Sequence, residues 1–216
     1  MSATTVATIE VNGLTLGYRE AGEGEPVLLL HGWPTSSFLY RDVIAPIARG
    51  NRVLALDMPG FGASSKPVDV RYTFDFFGEA IDGFLDALGV ERFALVGHDL
   101  GGPIAVDWLL RRPGRVTCLA LLNTLLYPDF DPMVLEFVTR LTTPGLREET
   151  TSDAGLEDAL RLGLADGSSA SPTSSGASSW RKCPASGSAV ISACGTSPAT
   201  RRMVSVTPGR IRSLSP

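Results

Sequence analysis

The chain has 216 residues, 44% of them apolar and 19% charged, the balance of a globular protein of one large domain or two small ones. A net charge of −4 gives no case for nucleic acid or an anionic membrane as partner. No apolar run approaches the roughly 20 residues that span a bilayer, the N-terminus lacks the basic start and apolar core of a signal peptide, and Cys118, Cys183 and Cys194 lack metal-ligand spacing. The expectation is a cytoplasmic protein in a reducing compartment, without a metal.

Taken in order, the first 130 residues alternate strands and helices. Residues 7–12 and 14–18 alternate apolar and polar around Asn12-Gly13, a hairpin signal. Residues 26–30 and 52–56 are short apolar runs that suit parallel strands buried on both faces. Between them, residues 37–49 predict a crossover helix with Leu39, Val43, Ile44 and Ile47 on one face. Residues 72–88 predict a longer helix, because Phe74, Phe77, Ile81, Leu85 and Leu88 recur at helical spacing and Gly89 stops it. A strand over 93–96, a helix over 101–112, a strand over 116–122 with Cys118 as a buried thiol, and helices over 132–141 and 156–164 follow. The alternation predicts an α/β class, a doubly wound, mostly parallel sheet opened by an antiparallel hairpin.

Composition breaks near Asp166. The first 166 residues hold all 23 acidic residues against 13 basic ones; the rest holds six basic residues and no Asp, Glu, His, Asn, Gln, Phe or Tyr. The expected organisation is a core over 1–125, the start of a helical cap over 126–166, and a low-complexity basic tail over 167–216. Such a tail has too little apolar surface to offset its ordering entropy and is expected to be disordered. A real basic tail and a shifted reading frame in a GC-rich gene both account for it, and the abrupt joint loss of acids and large aromatics favours the shifted frame.

Three segments carry chemistry. Phe93-Ala-Leu-Val-Gly-His-Asp-Leu-Gly-Gly102 is an apolar run ending in Gly-x-Asp-x-Gly. This is the strand–elbow–helix signature of a hydrolase nucleophile with a carboxylate, Asp99, at its tip. Gly97 and Gly101 keep the flanks small, and the helix N-terminus favours negative charge at Asp99. The motif alone also fits a strand-end Asp that only caps the helix. His31-Gly32-Trp33-Pro34-Thr-Ser-Ser37 follows a buried strand. Backbone N–H groups of Trp33 and Leu100 are expected to face an oxygen that gains charge. The third segment, residues 57–67, is a glycine-containing loop after the next strand.

In that order and spacing the segments resemble the α/β-hydrolase superfamily, and most of all its aspartate-nucleophile branch, the haloalkane dehalogenases and epoxide hydrolases. The resemblance covers roughly residues 8–135; residues 72–74 and 121–124 are weaker marks of it. It implies a two-step reaction on a small apolar substrate without cofactor. Asp99 attacks the carbon bearing a halide or an epoxide oxygen, and a histidine-activated water then hydrolyses the alkyl ester. A dehalogenase-like activity is preferred, with epoxide hydrolysis as the alternative.

The chain departs from that pattern. The family's base is a histidine in a loop near the C-terminus, and this chain has only His31 and His98. His98 precedes the nucleophile and points away from the reacting carbon; it is expected to bond a neighbouring loop. His31 is expected to bond backbone in the oxyanion loop. With no general base, the fold incomplete at its C-terminus and a parallel edge exposed, the chain is expected to be poorly soluble. It is expected to stop at one equivalent of covalent adduct, the behaviour of a catalytically incompetent truncated product. Asn123 stands where some dehalogenases keep their catalytic acid. Leu100 stands where both enzyme classes usually carry Trp, and Trp33 where dehalogenases carry Asn or Glu; its indole serves either as a halide donor or as an apolar pocket wall. Tyr127 lies near the expected cap entrance without an assigned role. Arg41, Arg111 and Arg112, which a haloacid would need, are read as solvated helix faces.

Overall fold

The computed structural model describes residues 5–124 and 132–158, together with the backbone of three strands between residues 189 and 214. The chain divides into two compact units, Met1–Leu126 with Cys183–Pro216, and Tyr127–Lys182.

The first unit opens with the hairpin β1 (Val6–Val11) and β2 (Leu14–Ala21), antiparallel from Val6↔Arg19 to Val11↔Leu14. Its turn places Asn12 at φ 52° and Gly13 at φ 78°, the left-handed pair that a two-residue turn matched to strand twist requires. β3 (Glu25–Leu30), β4 (Asn51–Leu56), β5 (Phe93–His98) and β6 (Val116–Leu122) form the parallel part of the sheet. The strand order is β1-β2-β4-β3-β5-β6, and β2 meets β4 antiparallel. These strands alternate between two buried faces. Leu28, Leu30, Leu54, Leu56, Leu95, Leu119 and Leu121 join one core cluster, while Val27, Leu29, Val53, Ala55 and Val96 join another. Apolar residues at consecutive positions are therefore needed on both sides, the mark of a sheet covered on both faces.

Helix α2 (Phe74–Ala87) begins at Thr73, whose hydroxyl accepts the Phe76 N–H at 3.2 Å. It buries Phe77, Ile81, Phe84 and Leu85. Phe74, expected on that face, is exposed, because the first helical residue precedes the turn that meets the sheet. Helix α3 (Gly101–Arg111) buries Ile104, Ala105, Trp108 and Leu109. Asp82 of α2 ties the two helices together. It accepts the Trp108 indole N–H at 3.1 Å and pairs with Arg112, while Arg112 and Arg115 lie over the Trp108 ring. Arg111 pairs with Asp75 and Asp107. Arg111 is exposed on its helix face, as expected, while Arg112 is half-buried in its pair with Asp82. Arg41 lies over the Phe38 ring and pairs with Asp42 at 3.4 Å.

Two further expectations need correction. The helix over 37–49 is a 3-10 turn, Ser37–Tyr40, followed by the single turn α1 (Ile44–Ile47). Pro46 has no N–H to continue a helix begun at residue 37, so helical structure restarts with the proline in its own first turn. Cys118 is half-buried on β6, where a buried thiol was expected. Within the segment 167–216 the described residues are the strands β7 (Ala189–Cys194), β8 (Met203–Thr207) and β9 (Arg210–Leu214); the rest of the segment lies outside the described residues. β7 pairs parallel to β6 at Leu121↔Ala193 and Leu122↔Cys194, so that edge, expected to be open, is partly covered; β8 and β9 continue antiparallel. The three strands fall on the β-branched stretches of the tail, around Val190-Ile191, Val204–Val206 and Ile211.

The second unit contains α4 (Pro132–Thr142) and α5 (Leu146–Thr150), joined by an Arg140–Glu149 ion pair at 3.7 Å. A further helical stretch covers 153–158; the rest of the helix expected over 156–164 lies outside the described residues. Among the described residues no helix is long and apolar enough to cross a membrane.

Candidate active site

Strand register decides which loops meet. Leu30 at the end of β3 stands beside Leu56 of β4 and Gly97 of β5. The chain continues from β3 to β4 on one side and reaches β5 on the other, so a crevice opens at the carboxyl ends of the strands where the order reverses. The segments beginning at His31, Asp57 and His98 emerge side by side at that edge.

Asp99 sits at the tip of the β5–α3 connection with φ 50°, a left-handed conformation that costs a non-glycine residue energy and marks a sharp turn. Three bonds fix its backbone. Its N–H donates to the Leu122 carbonyl at 3.2 Å, and its carbonyl accepts the Gly102 N–H at 3.0 Å and the Thr124 hydroxyl at 2.7 Å. The turn closes because its glycines are in contact: a Cβ on Gly97 would lie 2.6 Å from the Gly101 carbonyl oxygen.

The turn directs the Asp99 carboxylate at the loop after β3. The Trp33 N–H donates to Asp99 Oδ1 at 2.8 Å. Gly32 makes that approach possible, since a Cβ there would stand 2.3 Å from both Asp99 Cβ and Oδ1. The loop is a tight turn closed by Thr35 N–H donating to the Gly32 carbonyl at 3.0 Å, with a cis Trp33–Pro34 peptide inside it. Leu100 occupies the N-cap position of α3 at φ −57° and packs half-buried against the core. Asp99, Trp33, Gly32, Pro34, Gly97, Leu100 and Gly101 are therefore brought together.

The two histidines differ. His31 is fully buried. Its Nε2 accepts the Met58 N–H at 3.1 Å, so the neutral ring carries its proton on Nδ1, which donates to the Gly32 carbonyl at 2.9 Å. Burial holds its pKa below the usual histidine value, opposed in part by that carbonyl and by Asp57. Both ring nitrogens are thus spent on backbone. His98 is half-buried at the end of β5. Burial lowers its pKa too, against the neighbouring Asp99 charge. Its Nδ1 has no hydrogen-bond partner among the described residues, where a bond to a neighbouring loop was expected.

Sequence reasoning assigned no role to Asp57, Thr35 or Thr124. Asp57, only 2% exposed, accepts the Ser37 N–H at 2.6 Å on Oδ1 and the Ala63 N–H at 2.8 Å on Oδ2, binding the loops after β3 and β4 to each other. Its backbone carbonyl accepts the Ser64 hydroxyl, which in turn accepts the Gly17 N–H at 2.8 Å. An Asp at a strand end followed by Gly60 and Gly62 was the available signal for a carboxylate that collects loop N–H groups. Asn123 is exposed just after β6 at φ 43°, and Tyr127 lies outside the described residues.

Comparisons with known proteins agree with this architecture. Residues 25–194 match the family described as "alpha/beta hydrolase fold". The chain is 41% identical over 124 residues to haloalkane dehalogenase 2 of Mycobacterium tuberculosis, an overlap of 57% of this chain and 43% of that protein. It is 39% identical over 118 residues to bifunctional epoxide hydrolase 2 of Rattus norvegicus, covering 54% of this chain and 21% of the relative. Its fold superposes on a Vigna radiata epoxide hydrolase mutant with a TM-score of 0.66 and 31% identity, over 76% of this chain and 56% of that one. The chain thus spans less than half the length of these curated relatives. With a doubly wound sheet, an aspartate at the strand–helix turn and a family match over most of its length, this chain belongs to the α/β-hydrolase fold family.

Proposed function

We propose that Asp99 is the nucleophile of a hydrolase that opens carbon–halogen bonds through an alkyl-enzyme ester. The observation that carries this reading is the Trp33 N–H on Asp99 Oδ1 at 2.8 Å, at the tip of a left-handed turn. With Oδ1 held, Oδ2 is the attacking oxygen. It forms a bond to the substrate carbon as the carbon–halogen bond breaks and its electron pair leaves with the halide. Oδ1 becomes the ester carbonyl oxygen, already on its donor. When a water oxygen adds at Cγ and gives its proton to a base, negative charge gathers on Oδ1, where Trp33 N–H, joined by the Leu100 N–H at the start of α3, stabilises it. Collapse breaks the bond from Cγ to the alkoxy oxygen; an alcohol leaves and Asp99 is regenerated.

His31, with both ring nitrogens on backbone, does not activate that water. Without a histidine base the ester is expected to outlive its formation, since loss of a general base costs on the order of 10²–10⁴-fold in rate. Incubated with bromobutane, the purified protein should gain one butyl group by intact mass, mapped to Asp99 in peptides, and Asp99→Ala should gain none. Alkylation elsewhere with Asp99 untouched would overturn the reading. The comparable identities of the two kinds of relative, 41% and 39%, support epoxide opening as a second reading. A hydroxyalkyl adduct from styrene oxide, with no butyl adduct from bromobutane, would select it.

A further inference from the structure

The Trp33 N–H belongs to the Gly32–Trp33 peptide, and what lies at the other end of that peptide has no part in the mechanism above. The Gly32 carbonyl oxygen accepts three donors: His31 Nδ1 at 2.9 Å, the Thr35 N–H at 3.0 Å and the Thr35 hydroxyl at 2.9 Å. A peptide is planar, and in the trans form its C=O and N–H point in opposite directions. Donors gathered on the carbonyl therefore fix the plane that aims the N–H at Asp99. They also polarise the amide, because hydrogen bonds in series strengthen one another. His31 is itself braced from behind by the Met58 N–H, so the peptide is tied to the loop after β4.

We propose that Thr35 and His31 are positioning residues that act through the Gly32–Trp33 peptide, orienting and strengthening the Trp33 N–H as the oxyanion donor. Three donors exceed what a closed turn needs, since the Thr35 N–H alone closes it. The hydroxyl is the separable part: Thr35→Val keeps the shape and the turn hydrogen bond and removes one donor, and Thr35→Ser gives it back.

The proposal rests on the reading of Asp99 as nucleophile, and two measurements separate the two ideas. In the uncharged-ester arm, the butyl adduct is formed, excess bromobutane is removed, and its decay is followed by intact mass. Thr35→Val should slow that decay roughly 2- to 10-fold, the range that one neutral hydrogen bond supplies, and Thr35→Ser should restore it. In the second arm, the Trp33 backbone amide proton is followed by NMR in the unreacted protein. It should resonate downfield in the native chain and move upfield in both Asp99→Ala and Thr35→Val, with Thr35→Ser close to native. His31→Gln keeps an acceptor for the Met58 N–H, gives up the donor to Gly32, and should shift the resonance in the same direction as Thr35→Val. A Trp33 amide that ignores Thr35→Val and His31→Gln, or an adduct decay that Thr35→Val leaves unchanged, overturns the relay. No adduct on the native chain, together with the expected amide shifts, sinks the nucleophile reading and leaves the relay standing as a hydrogen-bond network.

Discussion

At the scale of single residues, the site is governed by what is small. Gly32 lies against Asp99 so closely that one methyl group would occupy the space of the carboxylate, 2.3 Å from Oδ1. Gly32→Ala is expected to abolish the bromobutane adduct on Asp99 while leaving far-ultraviolet circular dichroism unchanged, because the loop moves away from the turn and takes the Trp33 N–H with it. Retention of the native alkylation rate would mean that this approach is not required. The buried Asp57 shows the complementary device, a carboxylate whose two oxygens take N–H groups from two loops and so satisfy donors that burial would otherwise leave unpaired.

At the scale of elements, α2 and α3 are joined by a half-buried polar cluster whose centre is Asp82. Hydrogen bonds to charged groups in such positions are worth more than exposed ion pairs, so Asp82→Ala should cost about 2 kcal/mol by urea denaturation. It strands the Trp108 indole and releases Arg112 and Arg115. The exposed Arg111 pairs with Asp75 and Asp107 are the control: Arg111→Ala should leave the midpoint nearly unchanged, since solvent screens such pairs. Equal losses from both substitutions would show that the cluster around Trp108 has no special part in holding the helices.

At the scale of the whole molecule, the two histidines set an acid limit. Both are held below the ordinary histidine value of about 6.5, mainly by burial. The unfolded chain therefore binds protons that the folded chain refuses, so stability rises with pH across that window. Their contribution is fully present above about pH 6.5 and is lost as pH falls through the unfolded value toward the folded ones. Urea midpoints measured between pH 8 and pH 5 should be level at first and then decline. His98→Gln should flatten part of the decline, and a profile level throughout would count against burial as the cause.

The sequence by itself determined the alternation of strands and helices, because apolar runs of five or six residues and helical repeats are local patterns. β6 was expected and found at Val116–Leu122, and α2 lies within the span expected for it. The sequence also singled out the two segments that meet, since Gly-x-Asp-x-Gly and His-Gly-Trp-Pro are chemical signatures readable without a fold. It misjudged the helix after Ser37, where one proline outweighed the apolar spacing. Only the tertiary structure decided what each polar atom does. His31, Thr35 and Asp57 stand 68, 64 and 42 residues from Asp99 in the chain, and no periodicity relates them. Their roles follow from strand order and register, which bring the ends of β3, β4 and β5 to one edge, and hydrogen bonds have direction and reach only about 3 Å.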